Sequence, residues 1–505
     1  MPIPTLISSY RCRCSGVTSD SRHDHASGTL IFLAAALVIG CGAATPDAPT
    51  TPTAGSALVV TSSDAANATL PTAYTCDGDS KSPPLSWAGA PSGTAGFAVI
   101  MTTIPGPGSV KYNWLLYNIP ASTTSIAAGA SAGTLGFADD GAGLAYAPPC
   151  SQGPGLKQYI FTVYALSGAP NLSGFAANQV NGAALTSAIA GVTLASGSLA
   201  LGVNRTQATI NCNVVRQSIT TYRTANSLDV TCDSTYAYFS TFGIQSKHLM
   251  MNGIIATNQQ VPLAQNFTGT NAWKLPLVPA VAATKVAAVD GPIGIAVNGV
   301  PIFNPCKQGG CTAGQGGGDT KVLGELDVCN GHSGRADDYH YHAAPLCMMS
   351  DQGTAYWDTH PLGWALDGYA IFGYRNPDGT TATRDAACGG TPTNTPNAIG
   401  GYAYHVTDVS PYVLSCFNGT PSPDLAGQGA KYSPLRPPGT PMANTSMTLD
   451  ATPASLAIGG TTTLAWQGSG KSYQIRYART TPLCWTFAFV TDGVQTSTSN
   501  YCRQR

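Results

Sequence analysis

Short apolar runs rich in β-branched and aromatic side chains recur along the chain, separated by clusters of Gly, Pro, Ser, Thr and Asn. "FAVIM" (97–101), "WLLYNI" (114–119) and "YIFTVYAL" (159–166) are of this kind, as are "TTTLAWQG" (461–468), "SYQIRYA" (472–478) and "CWTFAFV" (484–490). Runs of that length and composition predict strands, and long amphipathic helical patterns are scarce, so a mainly β architecture is expected. Two stretches read as hairpins. "GIAVNGVPIFN" (294–304) and "GWALDGYAIFG" (363–373) each place an Asn-Gly or Asp-Gly pair between two apolar runs, which predicts a two-residue turn in both. Further on, "YHYHAAPLC" (339–347) matches "YAYHVTDVSPYVLSC" (402–416), and two pseudo-equivalent halves are the simplest explanation.

At 505 residues the chain is too long for one ordinary core, and two or three domains are expected. Only 10% of it is charged, and the formal net charge is −1. No basic face is available to neutralise a phosphate backbone, which argues against nucleic acid as a partner.

The first 41 residues read as an address. Arg11, Arg13 and Arg22 precede the apolar run "TLIFLAAALVIG", too short to span a bilayer comfortably, and Cys41 follows it. This resembles a bacterial lipoprotein signal with "LVIGC" as lipobox and Cys41 as the lipidated residue, an ordinary secretory signal or a short membrane anchor being the alternatives. Residues 42–55 are a Pro/Thr/Ala tether. Beyond Cys41 the cysteines are even in number, at 76, 150, 212, 232, 306, 311, 329, 347, 388, 416, 484 and 502. No zinc-type CxxC repeat is present, so disulfides in an oxidising compartment account for them better than metal thiolates. Nearest-neighbour pairing gives Cys76 with Cys150, 212 with 232, 306 with 311, 329 with 347, 388 with 416 and 484 with 502. An extracytoplasmic protein in the cell envelope, lipid-anchored or else secreted, is expected.

Residues 56–205 carry "YTCDG…SPPLSW", "NIPA" and "FTVYAL". Together these resemble the bacterial branch of the phosphatidylethanolamine-binding, or Raf-kinase-inhibitor-like, family, which implies a Greek-key β-sandwich with an anion pocket. On that resemblance Asp77, Trp87, Trp114 and Tyr146 keep the chemistry of the pocket wall. The family's acidic stretch falls on Thr103, Ile104, Pro105, Gly106 and Pro107, and its histidines fall on Asn113 and Lys157. Asn113 and Lys157 could supply some donors to a small polar ligand, but the imidazoles are gone, which favours a retained scaffold over a working pocket.

Residues 216–440 carry "GPIGIAVNGVPIFNP", "GELDVCNGHSG", "DDYHYHAAPLC" and "HPLGWALDGYAIFGY" in that order. They resemble the YHYH domain family of exported proteins, a resemblance that implies no reaction. The residues themselves say more. In an extended strand His340 and His342 project together, while Tyr339 and Tyr341 project to the other side. A His-x-His strand pair offers two imidazoles to one transition metal, zinc or copper, and Asp327, His332 and Asp338 are near enough in sequence to complete a site. In the second half His405 takes the place of His342, and Ala403 that of His340. Packing at a core edge without metal is the competing account of these residues. Asn298 and Asp367 read as turn residues, His248 as structural, and His360 as a weaker candidate. Residues 446–505 read as a small C-terminal β module.

Two functions fit. One is an anchored binding or scaffold lipoprotein whose His cluster holds a metal or small polar ligand, with an extracellular polymer as a further possible partner. The other is an extracytoplasmic metal-dependent hydrolase or oxidoreductase using Asp338 or a tyrosine as acid/base. The chain has no phosphate loop, dinucleotide fingerprint or zinc-protease helix motif to favour the second.

Overall fold

The computed structural model describes residues 58–503, apart from 105–107, 246, 258, 289–290, 308–309, 312–317, 426–433, 438–441 and 444–446. The leader, Cys41 and the tether lie outside the described residues, as do Pro105, Gly106 and Pro107.

The first domain is a two-sheet sandwich. Strands Val59–Thr61, Leu85–Ala88 and Ser125–Ile126 form one sheet. The other runs in the order Thr134–Leu135, Lys111–Pro120, Gly96–Thr103, Gly155–Leu166, Thr193–Arg205, antiparallel throughout. Strand Gly155–Leu166 returns to pair Gly96–Thr103 on the side away from Lys111–Pro120, which is the non-sequential return of a Greek key. Alternation explains both faces of the large sheet. Phe97, Val99 and Met101 point inward against Leu85 and Trp87, whereas Ala98 and Ile100 point outward under Leu185 and Ile189 of helix Gly182–Ala190.

A helix, Gln207–Ser218, leads out of the sandwich, capped by the Thr206 hydroxyl, which accepts from the Thr209 amide. Beyond it lies one eight-stranded sheet. Its strands are β1 (Pro292–Ala296), β2 (Pro301–Phe303), β3 (Gly331–Ser333), β4 (Tyr339–Tyr341), β5 (Gly363–Ala365), β6 (Ala370–Phe372), β7 (Gly390–Pro392) and β8 (Tyr402–His405). Their order, β3-β4-β2-β1-β5-β6-β8-β7, reads outward from the β1/β5 seam as the same topology twice. In each half a hairpin is followed by an antiparallel pair whose second strand lies parallel to the hairpin's second strand. Across the seam the halves exchange reciprocal bonds, Val297 N–H to Leu362 O at 3.0 Å and Leu366 N–H to Ile293 O at 2.9 Å.

The hairpin turns depart from expectation in the same way in both halves. Gly299 and Gly368 sit at φ 86° and 88°, while Asn298 and Asp367 stay at negative φ. Gly299 N–H bonds Ala296 O and Ala296 N–H bonds Val300 O, and Gly368 and Ala365 repeat the pattern with Tyr369. Each is therefore a three-residue loop ending in a left-handed glycine, not a two-residue turn. The reason lies in the side chains before the glycines. The Asn298 amide donates to Tyr341 Oη at 2.9 Å, and Tyr404 Oη donates to Asp367 Oδ2 at 2.6 Å. These turn residues are buried anchors for the tyrosine face of the sheet.

Among the described residues six disulfides form: Cys76–Cys150, Cys212–Cys232, Cys306–Cys311, Cys329–Cys347, Cys388–Cys416 and Cys484–Cys502. The C-terminal residues build a five-stranded antiparallel meander, Thr448–Leu449, Thr461–Gly468, Lys471–Thr481, Cys484–Thr491 and Val494–Cys502. It does not keep a core of its own. Leu464, Trp466, Ile475, Tyr477, Trp485 and Phe487 belong to the same buried cluster as the eight-stranded sheet, and Arg503 donates to Ala336 O at 2.9 Å.

Candidate metal centre

Three imidazoles meet on one side of β3 and β4. His332 and His340 are antiparallel partners, and His342 follows the end of β4. His340 Nε2 lies 3.0 Å from His342 Nε2, which lies 3.1 Å from His332 Nε2. All three ligand atoms fall within 4.8 Å of one another. His340 and His342 are buried, and His332 keeps a partly exposed edge.

The other ring nitrogens are tied down. His340 Nδ1 is 3.0 Å from both the main-chain O and Oδ2 of Asp338. His342 Nδ1 donates to the Asn304 carbonyl, and His332 bonds the Glu325 carbonyl. With Nδ1 of His340 and of His342 serving as donors, their two Nε2 atoms present lone pairs to each other. Two lone pairs 3.0 Å apart repel unless a cation sits between them. Two nitrogens at about 2.0–2.1 Å from a tetrahedral zinc would lie roughly 3.3–3.4 Å apart, close to the spacing here. Neither His332 nor His342 readily takes up a proton in place of a metal. Burial, then the neighbouring imidazoles, push His342 well below the usual histidine range, and burial beside His340 pushes His332 down to about 3.

Local sequence builds this cup. Phe303 of β2 stacks on His340 with ring centroids 3.8 Å apart. At Gly334 a Cβ would lie 2.7 Å from His340 Cε1 and 3.0 Å from Asp338 Oδ1, so only glycine lets the turn close over the pair. Cys329–Cys347 closes the segment that carries all three histidines.

The remaining predicted ligands lie elsewhere. Asp327 is not part of the cup, because it belongs to the tyrosine face. Its Oδ2 accepts from Tyr339 Oη at 2.6 Å and from Met251 N–H, its Oδ1 accepts from the Cys329 and Gly331 amides, and burial holds its carboxyl up at about 6. Asp338 supports His340 through Nδ1 instead of offering an oxygen to the Nε2 cluster. His405 occupies the position of His342 in the second half, five strands away across the sheet, roughly 24 Å at about 4.8 Å per strand. Its Nδ1 donates to Gly373 O at 2.9 Å, as His342 does to Asn304, but its Nε2 is buried with no partner. His248 pairs with Asp351, and His360 stacks on Tyr356.

Sequence reasoning missed Asp385. It is the second-half twin of Asp327, accepting from Tyr402 Oη at 2.7 Å and from the Cys388 and Gly389 amides. The signal was present in "DVCNG" against "DAACGG", each an Asp shortly before a disulfide cysteine and glycine.

In the first domain the candidate pocket residues are drawn inward. Asp77 is held bidentately by Arg205, Nε to Oδ2 at 2.8 Å and Nη2 to Oδ1 at 2.7 Å, while Arg205 Nη1 bonds Ser151 O. Tyr146 packs edge-on against Trp114 and donates to Tyr74 O, and Trp87 packs on Phe97. Asn113 reaches Ala147 O at 3.5 Å but leaves its Oδ1 buried without a partner. Lys157 shares a strand face with Tyr159 and Phe161. Each nitrogen of the Arg205 fork is already engaged by the protein.

With this geometry in view, the comparisons place both halves. Residues 60–204 match the family profile of phosphatidylethanolamine-binding protein. A UPF0098 protein of Methanothermobacter thermautotrophicus is 38% identical over 104 residues, 19% of this chain and 68% of the relative. The chain belongs to the phosphatidylethanolamine-binding protein family. Other relatives include a UPF0098 protein of Aquifex aeolicus, 33% identical over 19% of this chain and 61% of its own length. A Mycobacterium tuberculosis protein named as lipoprotein LppC is 32% identical over 25% of this chain and 63% of its own length. The chain thus spans about two thirds of the length of these relatives. Residues 272–389 match the profile of the YHYH protein family, a span that contains the whole three-histidine cup. Six disulfides and a relative named as a lipoprotein are consistent with an extracytoplasmic, envelope-associated protein.

Proposed function

We propose that this is an exported, lipid-anchored binding protein whose YHYH domain holds one transition-metal ion, zinc or copper, on the Nε2 atoms of His332, His340 and His342. The observation that carries the reading is the convergence of three Nε2 atoms, with Nδ1 of His340 and of His342 committed as donors. Metal-binding imidazoles are oriented by carboxylates and backbone carbonyls in this way. Binding is favoured over catalysis because the acid/base candidates are committed elsewhere. Tyr339 and Tyr341 are buried on the opposite face with Asp327 and Asn298, and Asp338 orients His340. The first domain serves as a scaffold on this reading, its Asp77 neutralised internally by Arg205.

Elemental analysis of the full chain purified from its native envelope tests the proposal. One equivalent of zinc or copper, lost on His340→Ala with the disulfides intact, is the expected result. Wild-type protein that carries no metal and takes up neither ion on reconstitution would refute it, as would unchanged metal content in the variant.

A further inference from the structure

A cavity of about 240 Å³ opens between the C-terminal sheet and the loops that precede the eight-stranded sheet, lined by Phe242, Pro262, Leu263, Tyr477, Arg479 and Trp485. A second recess of about 320 Å³ adjoins it and shares Phe242 and Arg479 as walls. The pair therefore meets at one arginine.

Arg479 is placed without a counter-ion. Its Cζ lies 5.9 Å from the ring centroid of Phe242 and 5.7 Å from that of Trp485. Its Nη2 donates to Pro482 O at 2.7 Å within its own hairpin, and its Nε is buried with no partner. Among the described residues no carboxylate pairs with it. The two fully buried arginines are each neutralised, Arg205 by Asp77 and Arg436 by Asp337, whereas Arg479 is half-buried and faces the cavity. A half-buried guanidinium lacking an anion and enclosing an unbonded Nε is unfavourable, and a carboxylate offering two oxygens to its fork would relieve both costs. Two polar side chains of the lining are occupied. Tyr477 Oη bonds Pro262 O, and Ser455 Oγ is engaged by Thr452 and Thr462. What remains for a ligand is one cationic fork and three aromatic walls.

We propose that this cleft binds a small aromatic carboxylic acid, its ring against Phe242, Tyr477 and Trp485 and its carboxylate on Arg479. The volume suits one six-membered ring with its carboxylate. Rotation of the Arg479 fork toward the cavity brings Nε and an Nη to the anion together. The site is independent of the histidine cup and stands whether or not that cup holds metal.

Isothermal titration and saturation-transfer NMR on the full chain, with benzoate as probe, test the assignment. Benzoate is expected to bind saturably, benzamide and glucuronate at least tenfold more weakly, and the Arg479→Gln variant at least tenfold more weakly than wild type. Arg479→Lys keeps the charge without the fork and should fall between. Near-UV circular dichroism verifies that both variants are folded. Absence of saturable benzoate binding to wild type, equal binding of benzamide, preference for glucuronate, or undiminished benzoate binding by folded Arg479→Gln would each overturn the proposal.

Discussion

Replacing Asp338 by Asn tests whether the histidine cup is organised for a metal. The substitution is nearly isosteric, and the site is buried, so little else should move. Asp338 Oδ1 accepts from the Ala336 amide at 3.1 Å, and Oδ2 accepts from His340 Nδ1 at 3.0 Å. In the variant the amide oxygen stays with Ala336 N–H, which leaves an NH₂ group facing the Nδ1–H of His340. Two donors at that distance repel. His340 must then rely on the Asp338 main-chain oxygen, also at 3.0 Å, or shift its proton to Nε2 and lose the lone pair that binds metal. Because the main-chain acceptor survives, the loss should be partial. Outer partners of metal-binding histidines are worth about 10–100-fold in affinity, or roughly 1.4–2.7 kcal/mol. Competition against a chromogenic zinc chelator at fixed pH measures this directly, with His340→Ala as the reference for loss of a ligand. An affinity within threefold of wild type would show that Asp338 does not orient a ligand. A loss as large as that of His340→Ala would make Asp338 a ligand itself, and the geometry argued above would be wrong.

Three further outcomes are expected. Asp77→Ala strands Arg205 in a site where its side chain is 2% exposed, and should lower stability by about 3–5 kcal/mol in denaturant unfolding, whereas Asp77→Leu with Arg205→Met should cost far less. His342 is held neutral by burial, so its folded pKa lies below its unfolded value of about 6.5 and its contribution to stability is complete above that pH and lost as pH falls through and below it. Metal-stripped wild type should accordingly lose stability relative to metal-stripped His342→Gln as pH is lowered from about 7, and a wild type that holds or gains stability relative to the variant would contradict the burial argument. Thr391→His with Ala403→His restores the two missing imidazoles of the second half opposite the orphaned His405 Nε2, and should raise the metal bound per chain from one to two by elemental analysis; a folded variant that stays at one would count against the equivalence of the halves.

The sequence was most informative where side-chain period and direct repetition act over short distances. Apolar runs located the strands, the match between residues 294–304 and 363–373 announced two halves, and alternate positions put His340 and His342 on one side. Contacts set by the third dimension were not legible. Asp77 and Arg205 are 128 residues apart, and Asp337 and Arg436 are 99 apart, so nothing local links them. The same holds for the C-terminal sheet, whose alternation predicts one buried face but cannot say that the face closes on the larger domain. Asp327 and Asp338 look alike as neighbours of the histidines. Strand pairing separates them, sending the first to the tyrosine face and the second behind His340. Asn-Gly and Asp-Gly favour a two-residue turn, but here buried tyrosine hydroxyls hold Asn298 and Asp367 in another conformation.

The duplication supplies a control that a single domain would lack. On the tyrosine face both halves keep the whole device. Tyr339 with Asp327 repeats as Tyr402 with Asp385, Tyr341 with Asn298 as Tyr404 with Asp367, and glycines 331 and 390 lie under the first tyrosine of each pair, where a Cβ would collide. On the histidine face they diverge. His332, His340 and Asp338 face Thr391, Ala403 and Gly401 at the equivalent positions, yet the second half forms the same strands in the same order. Hydrogen-bonded tyrosines are therefore what this topology needs to close its core. The imidazoles of His332 and His340 are not, since a threonine and an alanine serve the fold equally well there, while His342 has its counterpart in His405. A cluster in which the fold can do without two of three members, and that sets imidazole nitrogens 3.0 and 3.1 Å apart, is better explained by what it binds than by how it packs.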